Sequence, residues 1–318
     1  MSAEAAVRRR SARDSASSWS LLDRVGLGVA WLLGLGFLAV TAGIVVYLMV
    51  QGLRYINIDL LVSSPAAGFN ESETGGFLDP MIGTLAVAVL ALTIAVPVGV
   101  GVGVWLSEYA EPRWLARIAE STVEMLAGTP SIVFALFGVL LFQQPALAFA
   151  SYQQSGVIYG RSFIAAGVML SFVALPLIVA NVREGLQAIP GHVREASYAV
   201  GKTKSATTRR VLLPAARPSV ITGAMLGLGR VVGDTAIIVL LLGATLRLNP
   251  VGDLPVLGQL RGTGSTLTSY VYANAPTGEA NQPTKAYAAA FVLLTIVLLI
   301  NVVVDISARR GRRKVWGI

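Results

Sequence analysis

The sequence contains no cysteine and one histidine in 318 residues. Disulfides, thiolate metal sites and cysteine nucleophiles are therefore excluded. His192 by itself cannot build a multi-histidine metal centre, and in its polar stretch an ordinary exposed residue is expected. Charge is also scarce. Asp, Glu, Lys and Arg make up 13% of the chain, where soluble domains carry roughly 25%. So little charge cannot clothe a water-facing surface. No G-x4-G-K-[ST] phosphate loop occurs, so nucleotide binding is not expected. An enzyme embedded in a membrane would need a nucleophile–base pair, paired intramembrane carboxylates or a metal cluster, and none is evident.

What the chain has in abundance is apolar sequence, 54% of residues with a mean hydropathy of +0.68. It is gathered into blocks at Val25–Val50, Gly83–Leu106, Ala127–Phe142, Ser162–Val182, Val220–Leu246 and Ala286–Ile306. A spanning helix needs about 20 residues. The blocks predict an all-α polytopic transmembrane bundle of six spans. Val25–Val50 is too long for the core of a cleavable signal, and no clean small-residue cleavage site ends it, so it reads as a retained first span. The third block is short and runs into Gln143, Gln144 and Pro145; it spans with a polar end or enters at a tilt. The organisation read from this pattern is a basic tail over 1–24, a first span within 25–53 and an outer loop over 54–82. A core over 83–306 follows, with five spans and a polar segment at 183–217, and then a second basic tail over 307–318.

The formal charge of +8 does not point to nucleic acid, because the basic residues sit at the ends of apolar blocks. With both termini cytoplasmic, 19 of the 25 Lys and Arg lie inside. Arg8, Arg9, Arg10, Arg13 and Arg24 belong to that side. The outer side carries Arg54, Arg161, Arg247, Arg261 and Lys285, and Arg230 lies within a span. That bias orients the chain with both ends in the cytoplasm. The outer loop 54–82 carries Asp59, Glu71, Glu73 and Asp79, and 247–285 is rich in Gly, Pro, Ser, Thr and Asn. Both read as loops or short re-entrant pieces.

Glycines concentrate in the second and fifth spans. Gly99, Gly101 and Gly103 lie in one; Gly223, Gly227, Gly229 and Gly233 lie in the other with small-x3-small spacing, the pattern of close helix packing in lipid. Pro97 predicts a kink in the second span. In the fifth, Arg230 and Asp234 are four residues apart, hence on one helix face and able to pair. An ionisable residue within a span costs about 2.5–3.5 kcal/mol on insertion scales and usually faces a bundle interior or a water-filled path. Guanidinium suits an oxyanion because its planar donor fork stays charged. The pair reads either as an anion station or as an ion pair that holds helices together. Thr129 and Ser131 offer hydroxyls to a pathway, or they serve as helix-start residues around Pro130.

The segment 183–217 contains Glu195-Ala196-Ser197, then Gly201, then Val211-x-Leu213-Pro214. It resembles the E-A-A-x3-G-x9-I-x-L-P signature of bacterial ABC importer permeases, with Ser197 for the second alanine and Val211 for the isoleucine. Further motifs resemble the phosphate-specific permeases of that class. They are Gly75-Gly76-Phe77-Leu78-Asp79-Pro80-Met81-Ile82-Gly83-Thr84-Leu85, Leu106-Ser107-Glu108-Tyr109, Ala127-Gly128-Thr129-Pro130-Ser131-Ile132-Val133-Phe134 and Arg230-Val231-Val232-Gly233-Asp234-Thr235-Ala236. Asn301 in the last span fits as well. The resemblance covers roughly residues 75–306 and favours the A-type over the C-type of the two related permease subunits. One departure stands out. The family has glutamate where this chain has Asp234, so charge is kept while reach falls by one methylene.

The resemblance implies a type I importer permease (MetI-like) fold in the bacterial plasma membrane. It implies a second permease subunit of the PstC type, two ATPase subunits of the PstB type and an extracytoplasmic phosphate-binding protein of the PstS type. It implies a phosphate pathway by way of Arg230, Asp234, Thr235, Ser131 and Thr129. Coupling to the ATPase would run through Glu195, Ala196, Gly201, Leu213 and Pro214, where small residues permit close docking and glycine permits a bend. ATPase closure would push on 183–217 and reorient the bundle. No cofactor, metal or nucleic acid is expected. The readings left open are a permease for sulfate, molybdate or phosphonate, and a membrane phosphate-sensing scaffold.

Overall fold

The computed structural model describes residues 20–65, 75–151, 153–154, 157–243, 255–276 and 282–316. Arg8, Arg9, Arg10, Arg13, Glu71, Glu73 and Arg247 lie outside the described residues. The chain divides into two compact units, residues 1–51 and 52–318.

The first unit holds most of helix α1, Leu21–Tyr55. Ser20 starts it: its hydroxyl accepts from the Asp23 amide at 3.2 Å and donates to the Asp23 carboxylate at 2.7 Å. Ser20 thus serves as the N-cap, and the acidic Asp23 sits in the first turn, where the helix dipole favours it. Leu32, Leu33, Phe37 and Leu38 make α1 apolar on every face, as lipid requires.

Among its described residues the regular structure of the second unit is helical apart from one pair of two-residue strands and an isolated bridge between Pro65 and Gly75. After the short α2 (Ile58–Val62) comes α3 (Leu78–Val104), which runs unbroken through Pro97 and ends in a π-helical turn, Trp105–Tyr109. Helices α4 (Arg113–Gly128) and α5 (Ser131–Phe142) follow, then a 3-10 turn at Pro145–Ala150. Strands β1 (Gln153–Gln154) and β2 (Val157–Ile158) pair antiparallel, Gln153 opposite Ile158. Next come α6 (Phe163–Gln187), α7 (Gly191–Ala199), α8 (Lys204–Ala215, π-helical over Thr208–Leu212) and α9 (Arg217–Val232). The chain ends with α10 (Pro255–Arg261), α11 (Leu267–Asn274) and α12 (Pro283–Trp316).

Helix α6 is the axis of this unit, packed between α3 and α9. Its fully buried Ile178 sits against Gly99 of α3 on one side and Gly223 and Gly227 of α9 on the other. Val182 meets Gly103 one turn further on. A β-carbon at any of these glycines would press into those side chains or the α6 backbone, so the small residues set how closely three backbones approach. Gly101 and Gly229 have open space instead.

Among the described residues four helices are long and apolar enough to cross a membrane, six if each of two bent pairs counts as one span. One bent pair, α4 with α5, contains the third predicted span; the other, α8 with α9, bends by 65° just ahead of the fifth predicted block. Helix α5 has 12 residues, about 18 Å at 1.5 Å per residue, and meets α4 at 105°. Pro130 lies at the corner, without an amide to continue the α4 ladder. The fifth predicted block, 220–246, is not one helix. Helix α9 stops at Val232, a π-helical turn spans Ile238–Leu242, and Gly243 closes it at φ +94°.

Candidate functional site

The break in the fifth span is built around Asp234. Its Oδ1 accepts a hydrogen bond from the Ile237 amide at 3.0 Å, so the carboxylate caps the half-helix that follows. The side chain is 3% exposed, and its Oδ2 is buried without a hydrogen-bond partner. Thr235 and Ala236 are half-buried at the start of that half-helix. Arg230 occupies the last turn of α9, where the helix dipole favours a cation, and it is exposed. The expected ion pair between Arg230 and Asp234 is absent. The helix ends between them, so a four-residue spacing no longer puts them on one face.

The exposed residues of α9 form a stripe of Thr222, Leu226, Gly229, Arg230 and then Gly233. The opposite face, Gly223, Gly227, Leu228 and Val231, is buried against the bundle. The two small-x3-small pairs therefore differ: Gly223 and Gly227 pack on α6, while Gly229 keeps company with Arg230 on the outward stripe.

Backbone groups freed by the break are met from neighbouring elements. Thr268 Oγ1 donates to the Val232 carbonyl at 2.7 Å. The Ser162 amide donates to Leu241 O at 2.8 Å, and the Gly264 amide to Leu242 O at 3.4 Å. Irregular backbone at membrane depth survives only where the protein or a cavity satisfies it.

Thr129 and Ser131 stand at the α4–α5 corner. Thr129 Oγ1 donates back to Met125 O at 2.7 Å, and α5 begins at Ser131 after Pro130, with no side-chain cap. The helix-start role that competed with a pathway role is thus not taken up by either hydroxyl. Helix α5 packs its buried Phe134, Ala135 and Gly138 in the core that also holds Val231, Ile238 and Leu241. The structure brings α5 against the half-helix that Asp234 caps; no hydrogen bond joins Thr129 or Ser131 to Arg230 or Asp234.

In the segment 183–217, Glu195 and Ala196 are exposed on α7. Gly201 turns the chain between α7 and α8 at φ +78°, a left-handed conformation that glycine adopts without strain. Pro214 is exposed and Leu213 half-buried, while the neighbouring Leu212 is fully buried. The Ser197 and Thr207 hydroxyls, both buried, lie 2.8 Å apart and join α7 to α8. The serine that departs from the E-A-A pattern thus has a partner in this chain.

Two roles were not legible in the sequence. Arg194 counted only as one more cytoplasmic positive charge, yet its guanidinium reaches Glu108 at 2.7 Å. Thr84, within the Gly-Thr-Leu run, accepts from the Leu267 amide at 2.9 Å and donates to Pro80 O at 2.8 Å. Beside it, Gly83 gives room to the Ser265 carbonyl. That run receives the loop leading into α11, a contact over more than 180 residues of sequence that no local pattern reveals. Asn301, in α12, has a buried Oδ1 without a hydrogen-bond partner.

The family described as "Binding-protein-dependent transport system inner membrane component" matches residues 95–316. The phosphate transport system permease protein PstA 1 of Mycobacterium tuberculosis (strain H37Rv) is 33% identical over 246 residues, covering 76% of this chain and 74% of its own. The phosphate transport system permease protein PstC of Xylella fastidiosa (strain 9a5c) is 31% identical over 239 residues, covering 71% and 69%. A chain from the crystal structure of a bacterial alginate ABC transporter, in complex with an alginate pentasaccharide-bound periplasmic protein, shares the fold. Its TM-score is 0.60 at 15% identity, over 91% of this chain and 96% of that one. With breaks in its third and fifth predicted spans, its exposed α7–α8 segment and this match across most of its length, the chain belongs to the inner membrane components of binding-protein-dependent transport systems, the multi-pass permeases of ABC importers.

Proposed function

We propose that this chain is the membrane-spanning permease subunit of an ATP-driven importer of inorganic phosphate, and that Arg230 is its anion station. The observation that carries the reading is Arg230 itself. It is a permanently charged fork, exposed on the outward stripe of α9, at a helix end within a span. The phosphate-permease relatives support phosphate over other oxyanions. Both the A-type and the C-type stand among them; the motifs favour the A-type.

The stripe of α9 faces a second permease subunit of the C-type, and phosphate passes between the two by alternating access. Asp234 shapes the pathway by starting the half-helix beside it; Thr235, Ser131 and Thr129 line it with hydroxyls. ATP hydrolysis belongs to two separate ATPase subunits, which dock on Glu195, Ala196, Gly201, Leu213 and Pro214. An extracytoplasmic phosphate-binding protein delivers the substrate. Both termini are cytoplasmic, so reporter fusions after Arg313 and at Ser64 should report opposite faces of a bacterial plasma membrane.

Uptake of radiolabelled phosphate into vesicles containing the whole complex tests the reading. Uptake should require ATP and the binding protein, and excess sulfate or molybdate should not compete. Competition by either anion at equal concentration would reassign the substrate.

A further inference from the structure

The last turn of α3 and the segment 183–217 meet in a contact that the coupling motif does not include. Arg194 of α7 uses most of its donors at one place. Its Nη2 donates to Glu108 Oε1 at 2.7 Å and to the Leu186 carbonyl at 2.8 Å. Its Nη1 donates to the Ile189 carbonyl at 2.8 Å, and its Nε lies 3.3 and 3.4 Å from the two Glu108 oxygens. The Leu186 carbonyl lies in the last turn of α6 and also accepts from the Ile189 amide at 3.3 Å, so Arg194 adds a second donor to it. One side chain therefore fastens α7 to the ends of both α3 and α6.

The neighbouring residue repeats the attachment on the other helix of the segment. Lys204, at the start of α8, sits 5.0 Å from the ring centre of Tyr109, within cation–π range. Consecutive residues of the π-helical turn thus hold α7 and α8 separately. The Glu108 side chain is 6% exposed and that of Arg194 22%, so the pair is largely withdrawn from water, where a loose surface pair would be weak.

We propose that Arg194 is a positioning residue for coupling: it makes the ATPase-docking segment and helix α3 move as one body, so that closure of the ATPases is delivered to the transport path. The proposal rests on the docking role of 183–217 given above. Lysine replaces Arg194 only in part, because a point-like ammonium keeps the charge but cannot hold a carboxylate edge and two carbonyls in one plane.

The test uses the complete complex of permeases, ATPases and binding protein in proteoliposomes, with three readouts: co-purified ATPase, ATP hydrolysis, and phosphate taken up per ATP. Arg194→Ala should retain the ATPase and at least half of its hydrolysis while phosphate per ATP falls tenfold or more. Arg194→Lys should fall between that variant and wild type. Glu108→Gln guards against a folding defect, since it removes the charge pair and leaves the carbonyl bonds of Arg194 in place; it too should lower the ratio. If assembly and uptake fall together and phosphate per ATP stays at the wild-type value, Arg194 is a static clamp and the proposal fails. A wild-type complex that hydrolyses ATP without moving phosphate would overturn the transport reading, and this proposal with it. A coupled wild type beside variants of unchanged ratio overturns the proposal alone.

Discussion

Asp234 Oδ1 and the Ile237 amide stand 3.0 Å apart, which makes this carboxylate the cap of a half-helix rather than the mate of Arg230. Removing a helix cap costs about 1 kcal/mol. Asparagine supplies the same acceptor without the charge. Asp234→Asn should therefore keep more than half of wild-type uptake, and Asp234→Ala should lose most of it and lower the melting temperature of the complex. Equal loss in both variants would assign the function of Asp234 to its charge.

The separation of Arg230 from Asp234 sharpens the test of the anion station. Arg230→Lys keeps the charge and loses the fork, so uptake per assembled complex should fall; Arg230→Ala should abolish it. If the two residues merely balanced each other, the double variant Arg230→Ala with Asp234→Ala would regain function, because neither charge would be stranded. No recovery is expected. Full recovery would sink the station.

Ser197 and Thr207 give a thermodynamic cycle. Ser197→Ala leaves the buried Thr207 hydroxyl unpaired, at a cost of roughly 1–3 kcal/mol. Adding Thr207→Val removes the stranded group, and the double variant should return to within about 0.5 kcal/mol of wild type, as apolar replacement of both partners is nearly neutral. Thermal unfolding of the purified complex measures this. Additive losses would show that the two hydroxyls do not act as a pair.

At Gly201 the question is backbone conformation alone, because a β-carbon there would meet nothing within 4 Å. A left-handed residue other than glycine costs roughly 1–2 kcal/mol, and asparagine tolerates the conformation best. Gly201→Val should reduce co-purified ATPase with membrane insertion intact, and Gly201→Asn should retain most of it. Normal association in the valine variant would count against docking through this bend.

The all-α membrane fold was legible because lipid imposes a coarse and redundant signal: long apolar blocks with charges at their ends. The exposed bend in 183–217 was legible because Glu195, Gly201 and Pro214 keep a fixed spacing. The interruption at Gly233 was not, since Val220–Leu246 reads as one apolar block and an aspartate within it scans as half of an ion pair. Its capping role depends on φ and ψ at a break that hydropathy cannot register. The expected unit of Arg230 and Asp234 failed for the same reason, as helical spacing holds only while the helix continues. Arg194 and Glu108, 86 positions apart, became partners only when α3 and α6 ran side by side.

The bonds from Thr268, Ser162 and Gly264 to the backbone around the broken span have a mechanical consequence. The Ser162 and Gly264 bonds fasten the half-helix to the start of α6 and to the loop before α11, and Thr268 fastens the end of α9 to α11, whose first residue, Leu267, is in turn held by Thr84 of α3. That assembly has no slack for the half-helix to swing by itself. Gly233, between the two fastened ends, is exposed and carries no side chain. Val232, on the α9 side of Gly233, is tied to α11 as the half-helix beyond it is tied to α6, so a displacement arriving along α9 would load both anchors at once, two residues from Arg230.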